Sequence, residues 1–382
     1  MWLVIIGTNA ALFYSQEQAP PYQGYIILAG TGYFSFVYRK QVLQLLFSKD
    51  FLLVLFMFVL PLLLMLMSDS FFERGVYTSQ IAMVLIFVVV SIIALHDDFD
   101  RTLAATAFAI VAIAAALNLY ELFVQNNVWS VAPGRSAGFY KNPNISGEAL
   151  VGYGIIFMLA RSGRLRFPDL VVMAMVIVGV IATFSRAGIL AGPLLLTAAT
   201  IIRAQRSHMP RIVAGGMAIS LMTLWFSSFI FHNLDLSEDA TVRVFSLIDS
   251  FGVDDYKESR GEIAMHSLDL AMESPITGAG VGTIREMAEG PHNMFLAVLV
   301  EYGILGLIIY IAIMIRLALV ALRAELAYSG RVLLVVGWLI IFSFATHTLL
   351  GNAGTVPLLG FAVARAYQIQ YAARFGRAND FA

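Results

Sequence analysis

The chain has 382 residues, of which 59% are hydrophobic and 13% are charged, and its formal net charge is −1. Soluble domains carry charges at about a quarter of their positions, so these figures exclude a soluble globular protein, a disordered chain and a nucleic-acid-binding protein. They indicate an all-α, polytopic integral membrane protein. Because the sequence has no cysteine, disulfides, thiolate catalysis and cysteine-ligated metals are also excluded.

Apolar runs long enough to cross a bilayer, about 20 residues each, recur along the whole chain. They predict about twelve transmembrane helices in a single transmembrane domain over residues 1–382. The run 51–67 carries no charge, and its Pro61 can kink the helix. The predicted spans lie near 1–14, 22–38, 51–67, 81–95, 102–125, 145–160, 170–184, 188–202, 212–231, 293–316, 331–349 and 354–372.

Residues 170–202 form one apolar run that is interrupted by a single charge, Arg186. A single helix of that length would exceed the hydrocarbon core of about 30 Å and would place the arginine near the midplane, where a charge is costly. We therefore expect a hairpin of two spans with Arg186 at the turn. Arg186 could simply snorkel to the headgroups, but a lone arginine in so apolar a segment favours a functional role.

The distribution of basic residues predicts the orientation. An even number of spans puts both termini on one side, and 16 of the 24 Lys and Arg residues then lie on that side. Basic residues favour the cytoplasmic face, so both termini are expected in the cytoplasm. Two segments on the opposite side are long, 126–144 and 232–291, and the second is long enough to be an ordered catalytic or gating loop.

Polar side chains are concentrated in these two outer segments. The first contains GRSAGFYKNPN at 134–144, which is either a functional loop or a polar turn in which Asn144 caps the next helix. In the second, one helical stripe is either a metal site or the wet face of an amphipathic helix, which we favour. The stripe consists of Glu262, His266, Asp269 and Glu273. Glycines at 278, 280 and 282 could form a phosphate-binding turn.

His292 stands where the second loop re-enters the membrane. Leu296, Leu299, Gly303 and Gly306 share its face at helical spacing, and the glycines would allow a close helix neighbour that fixes the histidine. Glu301 lies about half a turn away and deeper, and a carboxylate within a membrane segment is a functional candidate.

Four segments, in this order, resemble the O-antigen ligase and O-antigen polymerase superfamily of bacterial envelope glycosyltransferases. Arg-x-x-Gly-Phe-x-x-Asn-Pro-Asn runs from Arg135 to Asn144, and Ser-Arg-Ala-Gly follows at 185–188. Ser-Arg-Gly at 259–261 leads to Ser-Pro-Ile-x-Gly-x-Gly, and a His-Asn pair then begins a helix that carries Glu-Tyr-Gly-Ile-x-Gly. The motifs cover 135–306, whereas the N-terminal third is similar only in being a bundle of spans.

The resemblance implies a fold, a location and a reaction. It implies a C-type glycosyltransferase-like fold in the bacterial inner membrane, with 232–291 as a long periplasmic loop and the active site on the periplasmic side. A glycan on undecaprenyl diphosphate would be transferred, with inversion, to an acceptor sugar hydroxyl. In a ligase, the interpretation we favour, the acceptor is lipid A–core. In a polymerase, which stays open, it is another lipid-linked repeat unit.

The resemblance also implies roles for individual residues. By motif position, Arg186 and Arg260 would hold the donor diphosphate, and His292 would be the essential histidine that accepts the acceptor's proton. The polar residues that remain in the motifs would contact the substrates: Arg135, Asn142, Asn144, Asn293 and Glu301.

The chemistry of these side chains suits the roles. Diphosphate is a good leaving group, so the reaction needs charge compensation more than a general acid, and guanidinium forks match phosphate oxygens and stay charged. A histidine, with an ordinary pKa of about 6.5, is a suitable base near neutral pH. The scheme requires no metal and no cofactor, and the expected partners are the two glycan substrates and membrane lipids.

Two other classes of function remain open. Glycine-rich, proline-interrupted spans with intramembrane charges are typical of transporters, here for a polysaccharide or a lipid-linked substrate. A non-catalytic membrane assembly subunit could use the long loop for docking. The concentration of charge at one membrane face favours the enzyme over both.

Overall fold

The computed structural model describes twelve ranges of the chain, separated by short gaps. These are 1–10, 22–67, 74–95, 100–125, 129–132, 134–161, 165–203, 208–233, 256–287, 290–324, 326–352 and 354–375. Within these ranges the chain is helical and has no β-strand, which confirms the all-α prediction.

Fifteen α-helices lie in the described ranges, together with two short 3-10 turns at Gly138–Tyr140 and Leu349–Gly351. The helices are α1 (Trp2–Gly7), α2 (Tyr22–Val37), α3 (Arg39–Leu46), α4 (Lys49–Met67), α5 (Arg74–Leu95), α6 (Asp100–Phe123), α7 (Pro143–Leu159), α8 (Phe167–Thr183), α9 (Arg186–Arg203), α10 (Met209–Asn233), α11 (Tyr256–Glu273), α12 (Thr283–Glu286), α13 (Met294–Ala321), α14 (Leu326–Ser343) and α15 (Val356–Phe375).

Helices occupy most of the predicted apolar runs where the chain is described, because the runs are long and apolar on most sides. In the first run, helix α1 covers only Trp2–Gly7. The last four residues of the first run, 11–14, lie outside the described residues. Three described helices, α6, α9 and α13, are long and apolar enough to cross a membrane, and α3 with α4, bent by 89°, would make a fourth. The protein is therefore an integral membrane protein, and the count of about twelve spans stays a prediction.

The predicted hairpin in the run 170–202 is confirmed. Helix α8 ends at Thr183 and α9 begins at Arg186, so the charge lies at the turn and not in the middle of a span. Phe184 makes the reversal possible by adopting a left-handed conformation with φ +50°.

The helices cluster into two compact units, each of which draws on two parts of the chain. The first unit comprises Met1–Gln23 and Asp98–Asp254. In it, α6 packs against α7 and α8, and α9 packs against α7 and α10. A hydrogen bond of 2.9 Å from Asn118 to Ser146 joins α6 to α7 in the interior. These contacts hold together the helices that carry the loop 134–142 and the α8–α9 turn.

The second unit comprises Gly24–Asp97 and Asp255–Ala382. Here α15 packs along α5, and α13 packs against α4, α11 and α14. Aromatic rings fill the interior, with the Phe87 ring 5.3 Å from those of Phe51 and Phe58. The prediction of a single transmembrane domain over 1–382 stays a prediction.

The predicted long loop over 232–291 contains regular structure where the chain is described. Helix α10 continues to Asn233, residues 234–255 lie outside the described residues, and α11 then occupies Tyr256–Glu273. Glu262, His266, Asp269 and Glu273 are all exposed, as are Met265, Leu268 and Met272 on another side of the helix. The wet-face interpretation therefore stays a prediction.

Candidate active site

In the first unit, the loop 134–142 is hydrogen-bonded to the turn between α8 and α9. The Arg135 Nε donates to the backbone carbonyl of Thr183 at 3.1 Å, and the Ser136 amide donates to the carbonyl of Ala182 at 3.3 Å. Two segments that are about fifty residues apart in sequence are therefore held together next to Arg186.

The two asparagines at the start of α7 both make hydrogen bonds within the protein. Asn142, and not Asn144, is the N-cap of α7: its side-chain oxygen accepts from the Asn144 amide at 2.9 Å. The Asn144 side-chain oxygen instead accepts from Arg135 Nη2 at 2.7 Å. Asn142 thus starts the helix, and Asn144 orients the guanidinium of Arg135.

Arg186 is the first residue of α9 and is partly exposed. The turn before it packs closely on α7, because a side-chain carbon at Gly147 would lie only 3.0 Å from Ser185 Cβ. Its guanidinium is thus borne on a rigid turn at a helix N-terminus, a suitable position for binding an anion.

Glu121 is a residue that the sequence analysis did not single out. Its side chain is fully buried in α6, and its Oε2 accepts from the backbone amides of Ala137 and Gly138, each at 2.7 Å. Glu121 therefore anchors the loop that carries Arg135. A single carboxylate within the apolar run 102–125 was the available signal.

In the second unit, His292 precedes α13 and has a left-handed backbone with φ +45°. The next residue, Asn293, is the N-cap of α13, and its side-chain oxygen accepts from the amides of Phe295 at 2.9 Å and Leu296 at 3.2 Å. The side-chain oxygen of Asn293 is therefore hydrogen-bonded within the protein itself. The capped helix end and the special backbone angle fix where the imidazole of His292 is presented.

A cavity of about 210 Å³ opens beside the imidazole of His292. Except for His292 and Asn293, its lining is apolar and comes from α11, the start of α13 and the segment after α14. The lining residues are Ile263, Ala264, Pro291, His292, Asn293, Leu296 and Phe344.

A second histidine, His347, lies against His292 and was not among the predicted site residues. The two rings meet edge to face, with centroids 5.6 Å apart and an interplanar angle of 67°. His347 belongs to the connection between α14 and α15, outside both helices. Burial, and secondarily the positive charge that His292 can carry, lowers the pKa of His347 to about 4, so its ring is neutral near pH 7.

The glycines at 278, 280 and 282 lie in a loop whose described amide bonds are made to other parts of the protein, so the phosphate-binding turn stays a prediction. Their φ angles are positive, but the amides around them donate within the protein. The Ala279 amide donates to the Val300 carbonyl at 2.7 Å, and the Gly282 amide donates to Glu301 Oε1 at 3.0 Å. Glu301 is partly exposed and holds this loop, so the structure gives it a contact with protein backbone.

Gly303 was expected to lie within a continuous helix, but its backbone is not helical. Its φ of +63° and ψ of −165° break α13, and a side-chain carbon there would lie 2.3 Å from the Ile276 carbonyl oxygen. The close neighbour that the glycine admits is thus the loop 275–279 and not another helix.

Arg260 lies in α11, which packs against α13, but its side chain is outside the part of the structure that is described. Within the described ranges, no group of three or more His, Asp or Glu side chains is placed to hold a metal ion. The alternative metal reading of the α11 stripe thus has no support there.

The predicted site residues divide between the two units. The structure brings together Arg135, Asn142 and Asn144 beside the turn that bears Arg186, and in the second unit it brings His292 and Asn293 to one end of α13. Glu301 lies further along α13 and contacts the glycine loop.

Comparison with known proteins gives a match to one family model over part of the chain. Residues 170–311 match the family model described as O-antigen ligase. The match contains Arg186, Arg260, His292, Asn293 and Glu301. The match begins at residue 170 and so does not include the loop with Arg135. The resemblance of that loop to the family therefore rests on its sequence motif alone.

One similar solved chain comes from a structure described as "Structural coordination of polymerization and crosslinking by a peptidoglycan synthase complex". It is 16% identical, with a TM-score of 0.43, and the similarity covers 86% of this chain and 98% of that chain. No curated protein matches the sequence.

Proposed function

Because residues 170–311 match the O-antigen ligase family model, we propose that this integral membrane protein transfers a glycan from a lipid diphosphate to an acceptor sugar hydroxyl. The donor is an undecaprenyl-diphosphate-linked glycan, and the preferred acceptor is lipid A–core. The observation that carries the proposal is that this region includes both Arg186 at a helix N-terminus and His292 at the wall of a cavity.

In the proposed reaction, the oxygen of the acceptor hydroxyl attacks C1 of the donor sugar as its proton passes to the imidazole of His292. The new C1–O bond forms on the face opposite the C1–O bond to phosphate, which breaks, so the anomeric configuration inverts. The bonding electrons leave with the lipid diphosphate. Arg186 and Arg260 compensate the charge that develops on its oxygens.

Two features of the described residues support these roles. Arg186 heads an 18-residue helix, so its charge adds to the positive end of the helix dipole, where a phosphate is favoured. The cavity beside His292 has one imidazole among otherwise mostly apolar lining residues, which suits a hydroxyl that must be activated by one base.

Arg135 supports the donor site indirectly in this proposal. Its contacts with Thr183 and Asn144 tie the loop 134–142 to the turn that bears Arg186. Asn142 and Asn144 then act by holding that loop in place. Asn293 fixes the start of α13, and Glu301 holds the loop 278–282 that contains the three glycines.

The proposal also places the protein in the bacterial inner membrane with about twelve spans, both termini in the cytoplasm and the reaction on the periplasmic side. Support comes from the excess of basic residues on the side of the termini and from the position of His292 after the long segment 232–291. No metal takes part in the proposed scheme.

The test is reconstitution of the purified protein with an undecaprenyl-diphosphate glycan and lipid A–core, with product detected by mass spectrometry. Wild-type protein is expected to form the glycosidic bond, and His292→Ala to lower the rate by about 10²–10⁴-fold, the usual contribution of a general base. His208→Ala, at an exposed histidine before α10, is the matched control.

Arg186→Lys tests whether the guanidinium fork matters beyond its charge. We expect a loss of about 10-fold or more, while Arg211→Lys at an exposed position of α10 leaves the rate unchanged. No glycosidic bond with any glycan acceptor would refute the proposed function. Full activity in His292→Ala would refute only the assigned base.

The polymerase alternative differs only in the acceptor, and a deletion strain separates the two. Loss of glycan from lipid A–core, with intact lipid-linked polymer, identifies a ligase. Accumulation of single lipid-linked repeat units identifies a polymerase.

A further inference from the structure

The described residues hold a second histidine, His347, whose ring contacts His292 and which the proposed reaction does not use. The contact is specific in geometry, since the rings are 5.6 Å apart and meet at 67°. His347 does not line the cavity, whereas His292 does. One histidine therefore lines the cavity, and the other contacts it from outside the lining.

The segment before α13 packs on His347 at two points. Besides the contact with His292, a side-chain carbon at Gly290 would lie 2.5 Å from both Cε1 and Nε2 of the His347 ring. Only a residue without a side chain allows this approach. Gly290 and His292 thus hold the imidazole of His347 between them.

Hydrogen bonds fix the turn that carries His347. The Thr346 amide donates to the Phe342 carbonyl at 3.0 Å, and the Thr346 and Thr348 hydroxyls are 3.0 Å apart. The Gly351 amide then donates to the Thr348 carbonyl at 3.0 Å. His347 is therefore carried by a rigid turn on both sides.

The ring of His347 is suited to support and not to proton transfer. Its Nδ1 is shielded from solvent and accepts no hydrogen bond from any described residue. Burial keeps the pKa of His347 near 4, and among the described residues His292 is the ionisable group that acts on it. A neutral neighbour of this kind places no second positive charge beside His292 when that histidine takes up a proton.

We propose that His347 is the positioning residue of His292: its ring holds the His292 imidazole in the orientation that faces the cavity. The role rests on the proposed function, because it assigns His347 to the general base of that reaction. It differs from a proton relay, which would need a titrating ring, and from a merely structural role, which would affect stability alone.

Substitutions at 347 separate these roles in the reconstituted transfer assay. We expect His347→Ala to lower kcat by about 10–100-fold with a KM change of less than about threefold, because a misplaced base slows the chemical step. His347→Phe restores a ring that cannot titrate and should recover most of the lost rate, with the acid limb of the pH profile kept. A relay would make Phe as inactive as Ala, and a structural role would lower the melting temperature of Ala with kcat unchanged, so either result overturns the proposal.

Gly290→Ala provides a second variant that leaves both histidines in place. Its added methyl group would displace the His347 ring, so it should lower kcat as His347→Ala does. In the His347→Ala background the same change should cost little, because the ring it displaces is gone. Additive losses in the double variant would contradict the packing argument.

Histidine NMR tests the contact between His292 and His347 without measuring enzyme activity. With ¹³C-labelled histidine, the Hε1–Cε1 resonance of His292 should move in His347→Ala, because the ring current of its neighbour is lost, and stay closer to its wild-type position in His347→Phe. An unmoved His292 resonance overturns the proposal. An inactive wild type with the expected shift refutes the proposed function and leaves the pairing intact.

Discussion

The backbone amide of Ile304 donates to the carbonyl of Pro275 at 2.8 Å, although the two residues lie in different segments of the chain. In an unbroken helix that amide would bond to the Val300 carbonyl, which here accepts from Ala279 at 2.7 Å. The loop 275–279 therefore supplies both groups that the break in α13 leaves open. This exchange explains how a helix in an apolar environment tolerates a break at Gly303.

Gly303→Ala should destabilise the protein strongly. The φ and ψ at this position are almost restricted to glycine, and the new carbon would meet the Ile276 carbonyl oxygen at 2.3 Å. We expect a loss of at least about 2 kcal/mol, measured as a lower melting temperature in detergent. Gly337→Ala is the control, because nothing lies within 4 Å of its added carbon in α14 and alanine favours a helix. Equal melting temperatures for the two variants would contradict the requirement for glycine at the break in α13.

The α8–α9 hairpin and the break in α13 show what the sequence could and could not predict. The hairpin follows from length and a single charge within one run, both of which are local properties. The break at Gly303 does not, because the run 293–316 stays apolar and contains no proline. It depends on a loop that approaches from about 25 residues earlier, which periodicity does not report.

The same limit applies to the site. Asn142 and Asn293 lie directly before helices, so their capping roles depend on neighbours in sequence. Glu121 and His347 fall inside runs that hydropathy assigns to spans, and each gains its role from a distant segment. Motifs therefore identify residues that are distinctive by themselves, whereas partners defined by packing require the fold.

Asp169→Asn should destabilise the first unit because the carboxylate is fully buried and neutralises two arginines. Its Oδ1 lies 3.1 Å from both Arg161 Nε and Arg203 Nη1, and its Oδ2 accepts from the Arg166 amide at 2.6 Å. Leaving these guanidinium groups without their anion should cost about 3 kcal/mol. The melting temperature in detergent is the measurement, and Asp269→Asn at an exposed position of α11 is the control. A loss that disappears in high salt would indicate an exposed pair instead.

Glu121→Ala should loosen the loop 134–142. The amides of Ala137 and Gly138 are buried, and removal of the carboxylate leaves both without that acceptor, at about 1–3 kcal/mol each. Hydrogen exchange followed by mass spectrometry should show faster exchange in the peptide that covers this loop. Glu121→Gln keeps an oxygen acceptor and should give an intermediate rate. Unchanged protection in Glu121→Ala would mean that other contacts hold the loop.

Stability should fall as the pH is lowered through the range in which His347 titrates. Its pKa is about 4 in the folded protein against an ordinary value of about 6.5, so between these values the unfolded chain binds more protons than the folded one. The contribution of His347 is therefore fully favourable above about pH 6.5 and is lost towards pH 4, by up to about 3 kcal/mol. The measurement is the melting temperature in detergent from pH 4 to pH 8.

His347→Phe isolates this contribution from those of other groups. The variant keeps a ring against Gly290 and His292 but cannot take up a proton, so the difference between its melting temperature and that of wild type should grow in its favour as the pH falls. The difference should be constant above about pH 7, where the wild-type ring is neutral in both states. Parallel curves over the whole range would mean that His347 takes up its proton equally readily in the folded and the unfolded protein, which would contradict its lowered pKa.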